Sequence, residues 1–434
     1  MILILSYIIL FSFSNANFLE MKFYFNVNLS KIDSSNFYNE IIFNQLSTNI
    51  SIGTPQQIIP LSIKLKLSTL SITSSILPYK KIIKYNHNLS STYYSDNFSN
   101  IESFEYDEFR KGIKSKEIFE INNNKNLSFD FIMSTETFSD VSGVLGLKTN
   151  SDENLEKYNF LNQLKDKNLI SSSIYFFIFE NLDNSPLNYK GKLIIGAYPH
   201  DYDPKKYNIE NYFKMKATLS FKGIKQEYEV KYLEIYYGDE EDDEHNFSEE
   251  SITYFDFART IIIGTTKFQN YITEEFKKLY NEKCKQVYYR GFRVFLCDND
   301  IDINKLKNIN IYYGYYNYTF VLKPNDLFAS YNNTLYYLIN FYPSSGIKIW
   351  SFGITFLKKY NFVYDQEKKV IGFYDNKEND FSKTYLKIFL IISLIIIIIL
   401  SSLYIHNIIF KKQRRIRANE LEDNIDYIPY EKKT

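Results

Sequence analysis

The sequence predicts a mostly β protein built as two related lobes, with one apolar helix near the C-terminal end. Three observations carry this expectation. Tyrosine and phenylalanine, 40 and 37 of 434 residues, favour pleated, half-buried surfaces over helix bundles. Between residues 41 and 378, short strand-patterned runs alternate with turn clusters. A weak internal repeat divides that stretch in two. The length allows two or three globular units, and a 45% hydrophobic composition is too apolar for an unfolded chain. Lys+Arg and Asp+Glu cancel at 51 each. Nucleic-acid binding, which rests on concentrated positive charge, therefore has no electrostatic support, and no nucleic-acid partner is expected.

Taken in order, the chain opens with an apolar run over residues 1–16, MILILSYIILFSFSNA, that ends in small residues at Ser14 and Ala16. It is too short to span a bilayer and reads as a secretory signal peptide, although no Lys or Arg precedes Lys22. Residues 17–40 are short for a propeptide. The repeat begins near Leu61, where an apolar strand leads through Lys64 (LSIKLKLSTLSI), and recurs near Ile252, where a similar strand leads through Asp256 (ITYFDFARTIII). Each is followed downstream by two apolar or bulky residues and a glycine, Val144-Leu145-Gly146 and then Ser351-Phe352-Gly353. The expected lobes, residues 41–203 and 204–378, face one another with these matching loops at the centre.

Among the strands are Ser172 to Phe179, Leu193 to Ile195 and Ala217 to Phe221. Two segments read as helices instead. Asp152 to Leu164 aligns Leu155, Tyr158, Leu161 and Leu164 on one stripe, and Lys267 to Leu279 aligns Phe268, Ile272, Phe276 and Leu279 behind Thr266. The acidic run Asp239 to Glu244 (DEEDDE) carries too much like charge to pack and reads as a solvated loop.

The only two cysteines are Cys284 and Cys297. In an oxidising compartment they would close one short disulfide loop, contributing about 3 kcal/mol by loop-entropy reasoning. No metal site or cofactor is expected, since no histidine neighbours them and two ligands do not make a cage. From Ile388 to Ile405 the chain carries no charge, and with His406 to Phe410 the run is long enough to cross the hydrocarbon of a bilayer. A transmembrane helix is thus expected over residues 386–410. Lys411, Lys412, Arg414, Arg415 and Arg417 follow at once and place residues 411–434 in the cytoplasm, with everything before the helix lumenal or extracellular. Eight Asn-x-Ser/Thr acceptors, at Asn28, Asn49, Asn88, Asn97, Asn126, Asn246, Asn317 and Asn332, all lie on that outer side.

Five stretches now resemble the pepsin-like aspartic peptidases, in family order and with family-like spacing, over nearly all of residues 47 to 375. They are Ile52-Gly53-Thr54-Pro55-Gln56-Gln57, Ser90-Ser91-Thr92-Tyr93, Gly143-Val144-Leu145-Gly146-Leu147, Gly191-Lys192-Leu193-Ile194-Ile195-Gly196, and Trp350 to Phe373. The resemblance implies a bilobal pepsin-like all-β fold whose cleft holds an extended peptide. It also implies one Asp-Thr/Ser-Gly loop per lobe, the two aspartates sharing a water and a proton. Like charges that close cannot both ionise, so one carboxyl serves as base toward water and the other as acid toward the amide.

Aligned on Gly53-Thr54-Pro55, the first Asp-Thr-Gly falls on Lys64-Leu65-Lys66, and no Asp or Glu occurs anywhere from Ile41 to Ser95. The second aspartate falls on Asp256, followed by Phe257-Ala258 in place of Thr-Gly. An ammonium beside a carboxylate holds that carboxylate ionised and keeps its own proton, so a Lys64–Asp256 pair is expected to be a salt bridge rather than a catalytic dyad. By the same resemblance the substrate-covering flap is Phe104 to Phe119, with Tyr106 as its cleft-facing tyrosine, and Cys284 and Cys297 match a disulfide of the second lobe. Three functions follow: a membrane-anchored, non-catalytic peptide-binding homologue, which the Lys64 replacement favours; an active aspartic endopeptidase using Asp256; and a surface adhesion glycoprotein.

Overall fold

A computed structural model describes residues 17–25, 46–65, 67–75, 82–105, 108–121, 125–135, 141–149, 153–180, 189–215, 218–219, 228–238, 247–256, 260–289, 291–343, 348–375 and 381–425. The expected signal peptide, the acidic run, Tyr106, Asn28 and Asn246 fall outside the described residues. The chain forms two units, Met1–Asp375 and Asn376–Thr434.

In the first unit the strands come in chain order. They begin with β1 (Leu19–Phe25), β2 (Leu46–Ile52), β3 (Gln57–Lys64), β4 (Leu70–Thr73), β5 (Tyr94–Glu105), β6 (Glu108–Ile121), β7 (Lys125–Ser134) and β8 (Gly143–Gly146). Next come β9 (Ile174–Phe179), β10 (Lys190–Ile195), β11 (Tyr212–Met215), β12 (Thr218–Leu219), β13 (Tyr228–Tyr237), β14 (Phe247–Phe255) and β15 (Ile262–Gly264). The last ten are β16 (Cys284–Tyr289), β17 (Phe292–Asp298), β18 (Ile309–Tyr313), β19 (Tyr318–Leu322), β20 (Phe328–Tyr331), β21 (Thr334–Tyr337), β22 (Ile339–Phe341), β23 (Ile349–Phe352), β24 (Val363–Asp365) and β25 (Val370–Tyr374).

One sheet has the order β11-β25-β24-β9-β10-β1-β2-β3-β8-β4-β7-β6-β5, the other β19-β18-β13-β14-β23-β15-β22-β17-β21-β20. The final strands β24 and β25 thus return to the sheet that carries the N-terminal half. Within it, β1 lies near the middle, paired with β10 on one side and briefly with β2 on the other.

The aromatic composition is what fills this fold. Among the described residues a large apolar cluster runs from Leu19 to Phe373, with two smaller ones around Phe176 and Leu155, and edge-on ring pairs such as Phe320–Phe373 at 4.8 Å recur through the large one.

Helix α1 (Phe160–Asp166) and a separate turn at Glu153–Glu156 replace the continuous helix expected over Asp152 to Leu164. The stripe is buried as expected, Leu155, Tyr158, Leu161 and Leu164 all lying in the core. The break arises because the Tyr158 carbonyl accepts from Leu70 N–H at 2.9 Å, while the Asn159 side chain caps α1 by accepting from Asn162 N–H at 2.9 Å. Helix α2 (Thr266–Tyr280) forms as expected, with its cap one residue earlier than read: Thr265 Oγ1 accepts from Phe268 N–H at 3.1 Å. Cys284 and Cys297 are bonded to one another across the β16–β17 ladder, where they sit directly opposite.

The second unit is one helix, α3 (Phe381–Ile425). Its stretch Ile391–Arg417 is long and apolar enough to cross a membrane, and none of it is buried against protein.

Candidate active site

Two copies of one strand arrangement build the site. In the first, β3 runs parallel to β8, β8 antiparallel to β4, and β4 parallel to β7. In the second, β14 runs parallel to β23, β23 antiparallel to β15, and β15 parallel to β22. The match holds to the residue. Ser71 pairs with Val144 and Ile263 with Ser351, and each first partner lies seven positions after Lys64 or Asp256.

The parallel register sets Lys64 opposite Gly146, and the pair Phe255–Phe352 makes Asp256 and Gly353 the next to follow. The main chain ties both ends: Leu147 N–H donates to Lys64 O at 2.9 Å, and Asp256 N–H donates to Phe352 O at 2.9 Å. Lys64 and Asp256 therefore occupy equivalent places, and the internal repeat seen in the sequence is a structural repeat.

The loops beyond them are anchored alike, four positions further on. Ser68 O accepts from the Asn159 amide at 2.8 Å, and Thr260 O accepts from Thr355 Oγ1 at 2.6 Å. Gly146 has no room for a side chain, since a Cβ there would stand 2.6 Å from Leu67 O and 2.7 Å from both Thr69 N and Thr69 O.

Asp256 is 3% exposed and Lys64 half-buried, and neither lacks a polar or electrostatic partner. The charge of Asp256 reaches Tyr364 on β24, whose hydroxyl is pushed well above its ordinary value by burial first, then by Tyr175 and Asp256. Tyr364 stacks on Tyr175 of β9 with centroids 5.3 Å apart. The carboxyl of the second copy thus sits by strands shared between the halves. Leu65 is buried; Lys66, Phe257 and Ala258 lie outside the described residues.

Two motifs noted separately in the sequence meet in space. Gly53 has φ +85°, and a Cβ there would come within 3.0 Å of Ser90 Oγ, so the turn requires glycine. Thr54 N–H donates to Ser90 Oγ at 3.0 Å, and Ser91 N–H donates to Thr54 O at 2.9 Å. The Gly53-Thr54-Pro55 turn and the Ser90-Ser91-Thr92 segment therefore hold each other in place beside β2 and β3.

Sequence reasoning missed Glu117, which is 1% exposed. Its carboxylate accepts from the Tyr85 hydroxyl, from Thr92 Oγ1 at 2.5 Å and from Ile118 N–H at 2.7 Å. Burial first, then the bond to Glu117, raises the Tyr85 hydroxyl far above its ordinary value, so it remains a donor. A signal was present: Ile113, Ser115, Glu117, Phe119 and Ile121 alternate along β6, and all five are buried. Glu117 thus fastens the base of the hairpin read as the flap, in which Glu105 pairs with Glu108 at the end of the β5–β6 ladder.

Of the expected glycan acceptors, Asn49, Asn88, Asn126, Asn317 and Asn332 are exposed, and the side chain of Asn97 is not described. The fully or nearly fully buried asparagines Asn159, Asn310 and Asn340 are not in acceptor sequences.

A family model for eukaryotic aspartyl protease matches residues 45–375. Among curated proteins, none matches the chain. The paired strand arrangements, the glycine loops opposite Lys64 and Asp256, and this match over most of the length agree, and the chain belongs to the eukaryotic aspartyl protease family.

Proposed function

We propose that this chain is a membrane-anchored, non-catalytic member of that family, which holds an extended peptide in its cleft without cutting it. The observation that carries this is Lys64, which stands where the repeat would require the partner of Asp256. Peptide hydrolysis by this fold needs one carboxyl to take a proton from water while another gives one to the amide. A lysine beside Asp256 can do neither near neutral pH, because each charge stabilises the other. In this reading the two form an ion pair across the cleft that keeps the halves in register.

The helix Ile391–Arg417 anchors the protein. The basic residues Lys411, Lys412, Arg414, Arg415 and Arg417 hold its end in the cytoplasm. Residues up to about 385 then face the lumen of a secretory organelle or the exterior, which agrees with the exposed acceptor asparagines and the disulfide.

Crosslinking tests the binding half of this proposal. A photoreactive random-sequence peptide should label the full-length protein near Tyr106 and Asp256. Saturable binding that labels neither neighbourhood would sink it and favour an adhesion role in which the cleft is vestigial.

A further inference from the structure

The charge along α3 is sorted by position. Ile388 to Phe410 holds no Asp, Glu, Lys or Arg, five of the next seven residues are basic (Lys411, Lys412, Arg414, Arg415 and Arg417), and Glu420, Glu422 and Asp423 follow before the helix ends at Ile425. The helix is continuous through all three segments, so each set of charges is held at a fixed height along one axis.

Those heights can be compared with a bilayer. Ile388 to Phe410 rises about 35 Å at ~1.5 Å per residue, slightly more than the ~30 Å of hydrocarbon it has to cross. The basic segment rises through about the next 10 Å, the depth at which phospholipid phosphates lie. Helical side chains lean toward the N-terminal end, which here is the bilayer side, so the cationic heads are set back among the phosphates. Arg414 shows this lean, its guanidinium lying over the Phe410 ring one turn back, 4.9 Å from the centroid. The acidic residues begin about a turn beyond Arg417, clear of that layer.

Within the basic segment the helix works against itself. Lys411 stands three and four positions from Arg414 and Arg415, Lys412 three from Arg415, and Arg414 three from Arg417. At these spacings like charges are neighbours and repel. Glu420, three positions after Arg417, is the one acid in the sequence so spaced from any of the five. Residues 411–417 are all exposed, and no part of the span is buried against protein. At about 100° per residue, Arg414, Lys411, Arg415 and Lys412 spread over an arc of about 160°, too wide for a single headgroup. Relief therefore comes from several anions packed around the helix at one height.

We infer that residues 411–417 gather a shell of anionic phospholipids around the helix in the cytoplasmic leaflet. The inference rests on the reading of α3 as the membrane anchor. Recognition is by net charge at the depth of the phosphates, not by a particular headgroup, and zwitterionic lipids, which bring no net charge, are left out of the shell.

The test reconstitutes full-length protein into phosphatidylcholine vesicles that carry a trace of spin-labelled phosphatidylserine, phosphatidylglycerol or phosphatidylcholine. The immobilised fraction of each probe measures its association with the helix. Both anionic probes should be favoured over phosphatidylcholine at least about threefold at low salt, and sodium chloride should shrink that preference. Replacing all five basic residues by glutamine (Lys411→Gln, Lys412→Gln, Arg414→Gln, Arg415→Gln, Arg417→Gln) keeps the helix propensity and should bring the preference below about 1.5-fold. Glu420→Gln with Glu422→Gln, which changes charge outside the phosphate layer, should not lower it.

Equal immobilisation of charged and neutral probes would overturn the inference while leaving the anchor in place, whereas no immobilised probe of any kind would remove the anchor and the inference with it. A preference for phosphatidylserine without phosphatidylglycerol would show recognition of one headgroup, and a preference abolished by inorganic phosphate but not by chloride at equal ionic strength would show a free-phosphate site; either overturns it. A glutamine variant that fails to incorporate leaves the salt dependence of the unaltered chain to decide: a preference indifferent to salt overturns it as well.

Discussion

Rebuilding both loops is expected to turn the chain into an acid peptidase. The variant replaces Lys64-Leu65-Lys66 by Asp-Thr-Gly and Phe257-Ala258 by Thr-Gly. The strand ends that carry positions 64 and 256 are already equivalent, and the loops beyond them are anchored on matching carbonyls, so the substitutions restore one carboxyl to each copy at matching places. Glycine at positions 66 and 258 lets the loops approach, and the threonine hydroxyls bond across the pair.

Turnover of an unstructured protein at acidic pH should rise at least ~100-fold over background, the lower end of what general acid–base catalysis supplies. The same variant with Lys64 left in place should stay inactive. The new pair also carries a stability signature. One carboxyl of a close pair has its folded-state pKa raised above the unfolded value, so its contribution is present in acid and lost as pH rises through the folded value. Relative to the unaltered chain, the rebuilt protein should therefore gain stability at the acidic end, and a difference between the two denaturation midpoints that does not change with pH would show that the two carboxyls had not met.

Gly146→Val should be the most damaging single substitution near the site. The atoms that a Cβ would meet at 2.6–2.7 Å are all main chain, of Leu67 and Thr69, so no side-chain rotation relieves the clash. Gly146 N–H also donates to Thr69 O at 3.1 Å, a bond that backbone displacement would break. A loss of about 3 kcal/mol is expected, read as a lowered denaturant midpoint. The β3–β8 register would be disturbed with it, which would move Lys64. Gly291→Ala makes a control for volume without clash, since nothing lies within 4 Å of a Cβ there, although its φ of +88° adds local strain.

Much of this architecture could be read before any coordinates. Period-two runs and the aromatic content identified the β class, and the repeat around Lys64 and Asp256 located the two strand ends, because that repeat reflects the same sheet pairing built twice. The failures share a physical cause, long-range contact. Nothing local to Asp152 to Leu164 breaks the helical stripe; Leu70 does so from 88 residues away by taking the Tyr158 carbonyl. Glu117 escaped notice because its burial depends on the alternation along β6, in a segment identified through Tyr106 and its turn. The place of β1 was hidden as well, since its partner β10 is far off in sequence and residues 17–40 carry no motif.

The central claim, that a lysine has replaced one of two acids required for hydrolysis, is tested most directly by one comparison. Full-length protein and its Asp256→Ala variant are incubated with an unstructured protein substrate from about pH 3 to about pH 7. The account predicts that neither cuts above background and that the two are indistinguishable. Cleavage in acid by the unaltered chain that Asp256→Ala abolishes, and that a mimic of the tetrahedral transition state blocks, would contradict it.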